Sequence, residues 1–149
     1  MTRLVWGPEA PIGRYLSAKF PHLMAPGLEY QPEKVVGFID DDNLLFGAVG
    51  LRFENLWDAQ LSIFVERPRF LTRSILAELF AKLFVEFGLV RVSCHIAKGN
   101  RHARQFVERL GWKLEGVKRR GFDGRLDACI YGMLATECRW LRKDDDAGA

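Results

Sequence analysis

The segment 59–96 constrains the fold more than any other part of the chain. Residues 59–65 read as a strand, and then the period changes. Leu71, Ile75, Leu76, Leu79, Phe80, Leu83, Phe84 and Phe87 recur at three- and four-residue spacing, which predicts a helix over 70–87. Ser74, Glu78, Lys82 and Glu86 form the opposing polar line, and Glu78 with Lys82 is a favourable i,i+4 pair. Gly88 stops the helix, and 90–96 reads as a buried strand. A strand–helix–strand unit of this kind predicts a right-handed crossover joining parallel strands.

The flanking segments extend the sheet. Residues 4–6 suggest a short first strand. Pro11 suits the first turn of a helix that carries Ile12, Leu16 and Phe20 on one face. Pro26, Gly27 and Pro32 make 22–33 mostly loop. Strands over 35–39 and 44–53 are joined by Asp40-Asp41-Asp42-Asn43, residues that favour a tight turn. This acidic run lacks the glycine and distal glutamate of a calcium loop. Asn100 is a good N-cap for a helix with Ala103, Phe106, Val107 and Leu110 on one face, ended by Gly111. Strands over 112–117 and 126–134 follow, around an Asp123-Gly124 turn. The expected class is α/β (α+β): a mixed sheet with helices on both faces. It occupies a single domain over 1–142, with an acidic frayed tail over 143–149.

Composition narrows the function classes. A chain of 149 residues suits one domain, and 48% hydrophobic with 28% charged side chains is ordinary for a globular protein. No apolar run reaches the ~18 residues of a membrane span, and the start has no signal-peptide pattern. The three cysteines, Cys94, Cys129 and Cys138, form no Cys-x-x-Cys pair. Free thiols in a reducing cytoplasm are expected, with neither a disulfide framework nor a metal site. A net charge of +3 suits an acidic ligand without demanding nucleic acid.

Two segments could bind an anion. Arg67, Arg69 and Arg73 lie in the loop before the long helix, whose N-terminal N–H groups attract negative charge. Bidentate arginines would add to that. Asn100 opens the next helix among Lys98, Arg101 and Arg104, and its local role is an N-cap. His95 reads as a core residue of a buried strand, and Tyr131 as core within the last one. Glu54 and Asp58 flank Trp57 in a polar loop where they could receive a proton. The basic cluster Lys118-Arg119-Arg120 with Arg125 reads as a solvated hairpin end.

The chain resembles the GNAT superfamily of N-acetyltransferases over residues 4 to about 140. The resemblance rests on Asn100, on Ala103 three positions later, and on Leu110-Gly111-Trp112 followed by Glu115-Gly116. The Glu-Gly ending and Cys129-Ile130-Tyr131-Gly132-Met133-Leu134 are most similar to the branch that acetylates N-termini of ribosomal proteins.

The resemblance implies a central parallel strand pair that splays, with Ile63, Phe64 and Val65 offering backbone groups to the pantetheine arm of acetyl-CoA. It also implies a pyrophosphate loop of Arg67, Arg69, Phe70, Leu71, Thr72 and Arg73, with Asn100, Ala103 and Arg104 on the cofactor's other side. An amine acceptor would attack the thioester directly, with Glu54 as candidate base and Tyr131 as candidate acid. The expected partners are acetyl-CoA and a protein N-terminus, lysine or small amine, without membrane or nucleic acid. A homodimer is compatible with that reading. Phe70 and Thr72 stand where the family has small residues, and Val107 stands where many members have a tyrosine acid. These departures motivate an alternative, a binding module that has the fold but little or no acetyl transfer.

Overall fold

A computed structural model describes residues 2–7, 9–20 and 32–141. The expected tail, and most of the expected loop over 22–33, lie outside the described residues. The elements run β1 (Arg3–Trp6), α1 (Glu9–Lys19), β2 (Lys34–Ile39), β3 (Leu45–Phe53), β4 (Asp58–Val65), α2 (Arg73–Ala81), β5 (Arg91–Ala97), α3 (Arg101–Leu110), β6 (Lys113–Lys118) and β7 (Ala128–Leu134). The seven strands form one sheet in the order β1-β2-β3-β4-β5-β7-β6. β4 and β5 are parallel, and the other neighbours are antiparallel. The mixed sheet expected from the sequence is therefore present, and all but one of its strand pairs are antiparallel.

Strand alternation sends side chains to two layers. On one face Val35 and Ala48 pack with Ile12 and Leu16 of α1, and Phe64 joins them. On the other, Val36, Val49, Leu51 and Leu61 meet Ile75, Leu79 and Phe80 of α2. Val107 of α3 packs into that second layer with Trp112 and Tyr131. Among the described residues helices thus cover both faces, α1 on one and α2 with α3 on the other.

The long helix departs from its expected bounds at both ends. Pro68 has no N–H to give, and Pro68–Phe70 forms a separate 3-10 turn. Thr72 then caps α2 by accepting the Ile75 N–H at 3.2 Å, so the helix begins at Arg73. Past Ala81 the winding loosens into a π turn over Lys82–Glu86. Gly88 follows at φ +69°, the left-handed region glycine tolerates. Among the described residues no helix is long and apolar enough to cross a membrane.

Candidate active site

The site arises from an interruption in the sheet. β4 and β5 pair at Asp58↔Arg91, Ala59↔Val92 and Gln60↔Ser93, and pair no further. Each strand keeps its other neighbour along its length, β4 with β3 and β5 with β7. The gap therefore costs only the ladder between the two strands. Beyond Gln60 it opens into a cavity of about 520 Å³. A strand edge left unpaired here presents backbone N–H and C=O groups to whatever fills the gap.

One end of the cavity lies on the α2–α3 side. Ile63, Val65, Pro68, Asn100, Ala103 and Phe106 line it. Asn100 caps α3 by accepting the Ala103 N–H at 3.2 Å. The first N–H groups of α3 lack intrahelical partners, as at any helix start. This end has an open strand edge, a helix N-terminus and apolar walls, a set that fits a slender acyl-thioester arm.

The opposite end lies on the α1 side. Gln60, Ser62 and Phe64 alternate from β4, and His95 projects from β5. Phe20, at the end of α1, and Phe122, from the β6–β7 connection, close it. Lys19 stands at its edge, 3.5 Å from the Glu66 carboxylate and over the Phe64 ring at 4.8 Å. His95 is half-buried. Burial holds its pKa below the ordinary 6.5 and the Lys118 cation pushes it further down, against a smaller upward pull from Glu54. A neutral imidazole results at neutral pH, able to accept a proton. The Cys94 thiol lines the same gap, but burial pushes its pKa up to about 12 and keeps it protonated.

The structure divides the sequence candidates. Ile63, Phe64, Val65, Asn100 and Ala103 line the cavity. Arg67, Arg69, Phe70, Leu71, Thr72, Arg73 and Arg104 do not. Arg67 donates to Asp40 at 2.7 Å and lies over the Phe70 ring at 4.8 Å. Arg69 stacks on Phe70, and Arg73 stacks on Trp140. Phe70 itself turns inward, edge-on to Phe46. Arg104 donates to the Tyr131 hydroxyl at 3.0 Å and to the Lys98 carbonyl at 3.0 Å. The loop's cations thus have partners already, because aromatic faces and a carboxylate lie within their reach.

The two proposed proton carriers also fall outside the cavity lining. Glu54 is exposed beyond the end of β3. Tyr131 is fully buried under α3, donating to Glu108 at 2.6 Å while accepting from Arg104. Burial raises its pKa, so the phenol stays protonated. Conversely, His95 is a cavity residue and not the enclosed core histidine its strand suggested. Gln60, Ser62 and Phe122 escaped notice as well. The alternation Gln60, Ser62, Phe64 was a legible signal for one strand face, but it gave no sign that β5 leaves that face uncovered.

No protein-family model and no curated protein matches the chain. Solved structures do. A structure of mutant forms of the spermidine/spermine N-acetyltransferase SpeG from Vibrio cholerae superposes with a TM-score of 0.72 at 18% identity, covering 91% of this chain and 96% of that one. A mutant form of the same Vibrio cholerae enzyme gives 0.74 at 16% identity, over 96% and 98%. This is the GNAT fold. A dodecameric structure of the Vibrio cholerae spermidine N-acetyltransferase is a further match, with a TM-score of 0.71 at 17% identity over 91% and 94%.

Proposed function

We propose that this protein is an N-acetyltransferase that moves an acetyl group from acetyl-CoA to a primary amine. The observation that carries the reading is the β4–β5 gap, a cavity with an open strand edge that connects the Asn100 helix start to the neutral His95. The GNAT fold of the solved neighbours supports it. Those neighbours act on small polyamines by name and lend no support to the ribosomal N-terminus branch. Cys94, Cys129 and Cys138 as thiols would suit a reducing cytoplasm, the compartment proposed here.

In this reading the thioester arm lies along the open edge of β4, beside Asn100 and Ala103. The backbone of 61–65 that faces the gap orients the carbonyl, and an N–H aimed at its oxygen stabilises developing negative charge. His95 takes the proton that the attacking amine loses. The β4–α2 loop contributes less than the resemblance implies. Thr72 already occupies one first-turn N–H of α2, and Arg67 is paired with Asp40.

Calorimetric titration with acetyl-CoA tests the reading. Wild-type protein is expected to bind in the micromolar range, and Asn100→Ala to weaken binding more than Arg67→Ala does. No binding at millimolar acetyl-CoA would overturn the reading in favour of a module without transfer.

A further inference from the structure

A polar bridge crosses the sheet just below the point where β4 and β5 part. Asp58 and Arg91 are the first of the register pairs that join the two strands. Alternation puts Asp58 on the face of Gln60 and Ser62, and Arg91 on the face of His95. Arg91 donates from both terminal nitrogens to the Glu115 carboxylate of β6, at 2.6 Å and 3.1 Å. Its Nε lies 3.4 Å from the Asp58 carboxylate, which among the described residues is the one ion pair between β4 and β5. Arg91 and Glu115 stand outside the cavity lining, so any part they take in the reaction is indirect.

Two local features build the bridge. The register of β6 on β7 steps from Leu114↔Tyr131 to Gly116↔Ile130, so Glu115 is a bulge residue, freed from the ladder and re-aimed. Its side chain crosses β7 at Gly132, where a Cβ would collide with the carboxylate. The two ends of the bridge are unequal. Glu115 takes the guanidinium as a fork, the strongest geometry for this pair. The Arg91 Nε and the Asp58 Oδ1 are buried within ion-pair reach of each other, yet neither has a hydrogen-bond partner among the described residues. The guanidinium is planar and rigid, so it cannot align on Asp58 without giving up its fit to Glu115. An unmade buried hydrogen bond is costly, so the Asp58 side closes once the Glu115 grip is removed.

We infer that Arg91 is a positioning residue, held towards β6 by Glu115 so that β4 and β5 stay apart at the gap. The inference rests on the acetyltransferase reading above, in which the thioester arm lies along the open edge of β4. Without Glu115, Arg91 turns to Asp58 and draws β4 inward. Continuing the present register would then pair Leu61 with Cys94 and Ser62 with His95. The gap narrows, and both the backbone that orients the carbonyl and the His95 base lose their places.

Acetyl-CoA is titrated calorimetrically into wild-type protein, Glu115→Gln, Asp58→Ala and the double variant. Amide exchange at 61–65 is followed in each free protein. Glu115→Gln keeps the side chain's size at an exposed edge position, and thermal melting checks that it folds. It is expected to weaken acetyl-CoA binding by about fivefold or more and to slow exchange at gap-facing amides. Asp58→Ala alone is expected to change neither, because the grip of Glu115 remains. In the double variant nothing draws Arg91 back, and affinity is expected to return to within about twofold of wild type. A bridge that merely ties the strands together predicts the opposite signs: faster exchange in Glu115→Gln and in Asp58→Ala, and a double variant worse than either. Those results, or an unchanged affinity in Glu115→Gln, would overturn the inference and leave the acetyltransferase reading standing. Wild-type protein that binds no acetyl-CoA overturns that reading and this inference with it.

Discussion

At the residue scale, His95 and Tyr131 both read as core positions of their strands, and the structure separates them, burying Tyr131 and placing His95 in the cavity lining. Both sit in strands, one residue apart in register, since Cys94 faces Tyr131 and His95 faces Ile130. Alternation then sends them to opposite faces. Tyr131 goes under α3, where Glu108 and Arg104 take both capacities of its hydroxyl. His95 goes into the gap. Because burial lowers its pKa, the imidazole is the free base above that pKa and loses the capacity to accept a proton as pH falls through it. The wild-type kcat/KM is therefore expected to fall on the acid side, with an apparent pKa below 6.5. His95→Gln should lower kcat by about 10²- to 10⁴-fold and abolish that acid limb. Tyr131→Phe should instead cost about 0.5–1.5 kcal/mol of stability, because Arg104 keeps the Lys98 carbonyl and the exposed Glu108 turns to water, with kcat nearly unchanged. A kcat loss for Tyr131→Phe as large as that for His95→Gln would restore the tyrosine as the acid.

At the element scale, the β4–α2 connection is stabilised by contacts that a looser phosphate loop would lack. Pro68 opens a 3-10 turn, Phe70 anchors on Phe46, and Thr72 caps the helix. Thr72→Ala should destabilise the protein by about 1 kcal/mol in chemical denaturation. Acetyl-CoA affinity should hold or improve, since the Ile75 N–H is then released from the hydroxyl. A loss of affinity of about tenfold, about 1.4 kcal/mol, would mean that the hydroxyl itself contacts the ligand. Gly47 shows how closely β3 and β4 approach beside this loop. A Cβ there would sit 2.7 Å from the Phe64 carbonyl oxygen.

At the scale of the whole molecule, the sheet is two well-paired halves joined through three register pairs of β4 and β5. Backbone groups that face the gap have no ladder to protect them, whereas those of the joined segment do. Amide exchange is expected to be faster at gap-facing positions of 61–65 than at 58–60, and acetyl-CoA should slow the former. Equal protection of both stretches in the free protein would contradict an open edge.

The order of elements and their faces were legible in the chain. The 3.6-residue period of α2, the strand–helix–strand unit around it and the capping residue Asn100 are local features, and local features are written in sequence spacing. The GNAT resemblance depended on the same kind of signal, and it carried the Ile63–Val65 edge, Asn100 and Ala103 to a cavity that they do line. Tertiary structure decided what no spacing encodes. Whether an arginine near a helix start is free for an anion depends on which carboxylate or ring comes within a few ångströms. Asp40 meets Arg67 across 27 residues of chain. Whether His95 is core or cavity depends on where β5 parts from β4, and that separation is a property of two strands whose paired residues lie 33 positions apart, such as Asp58 and Arg91, and not of either sequence alone.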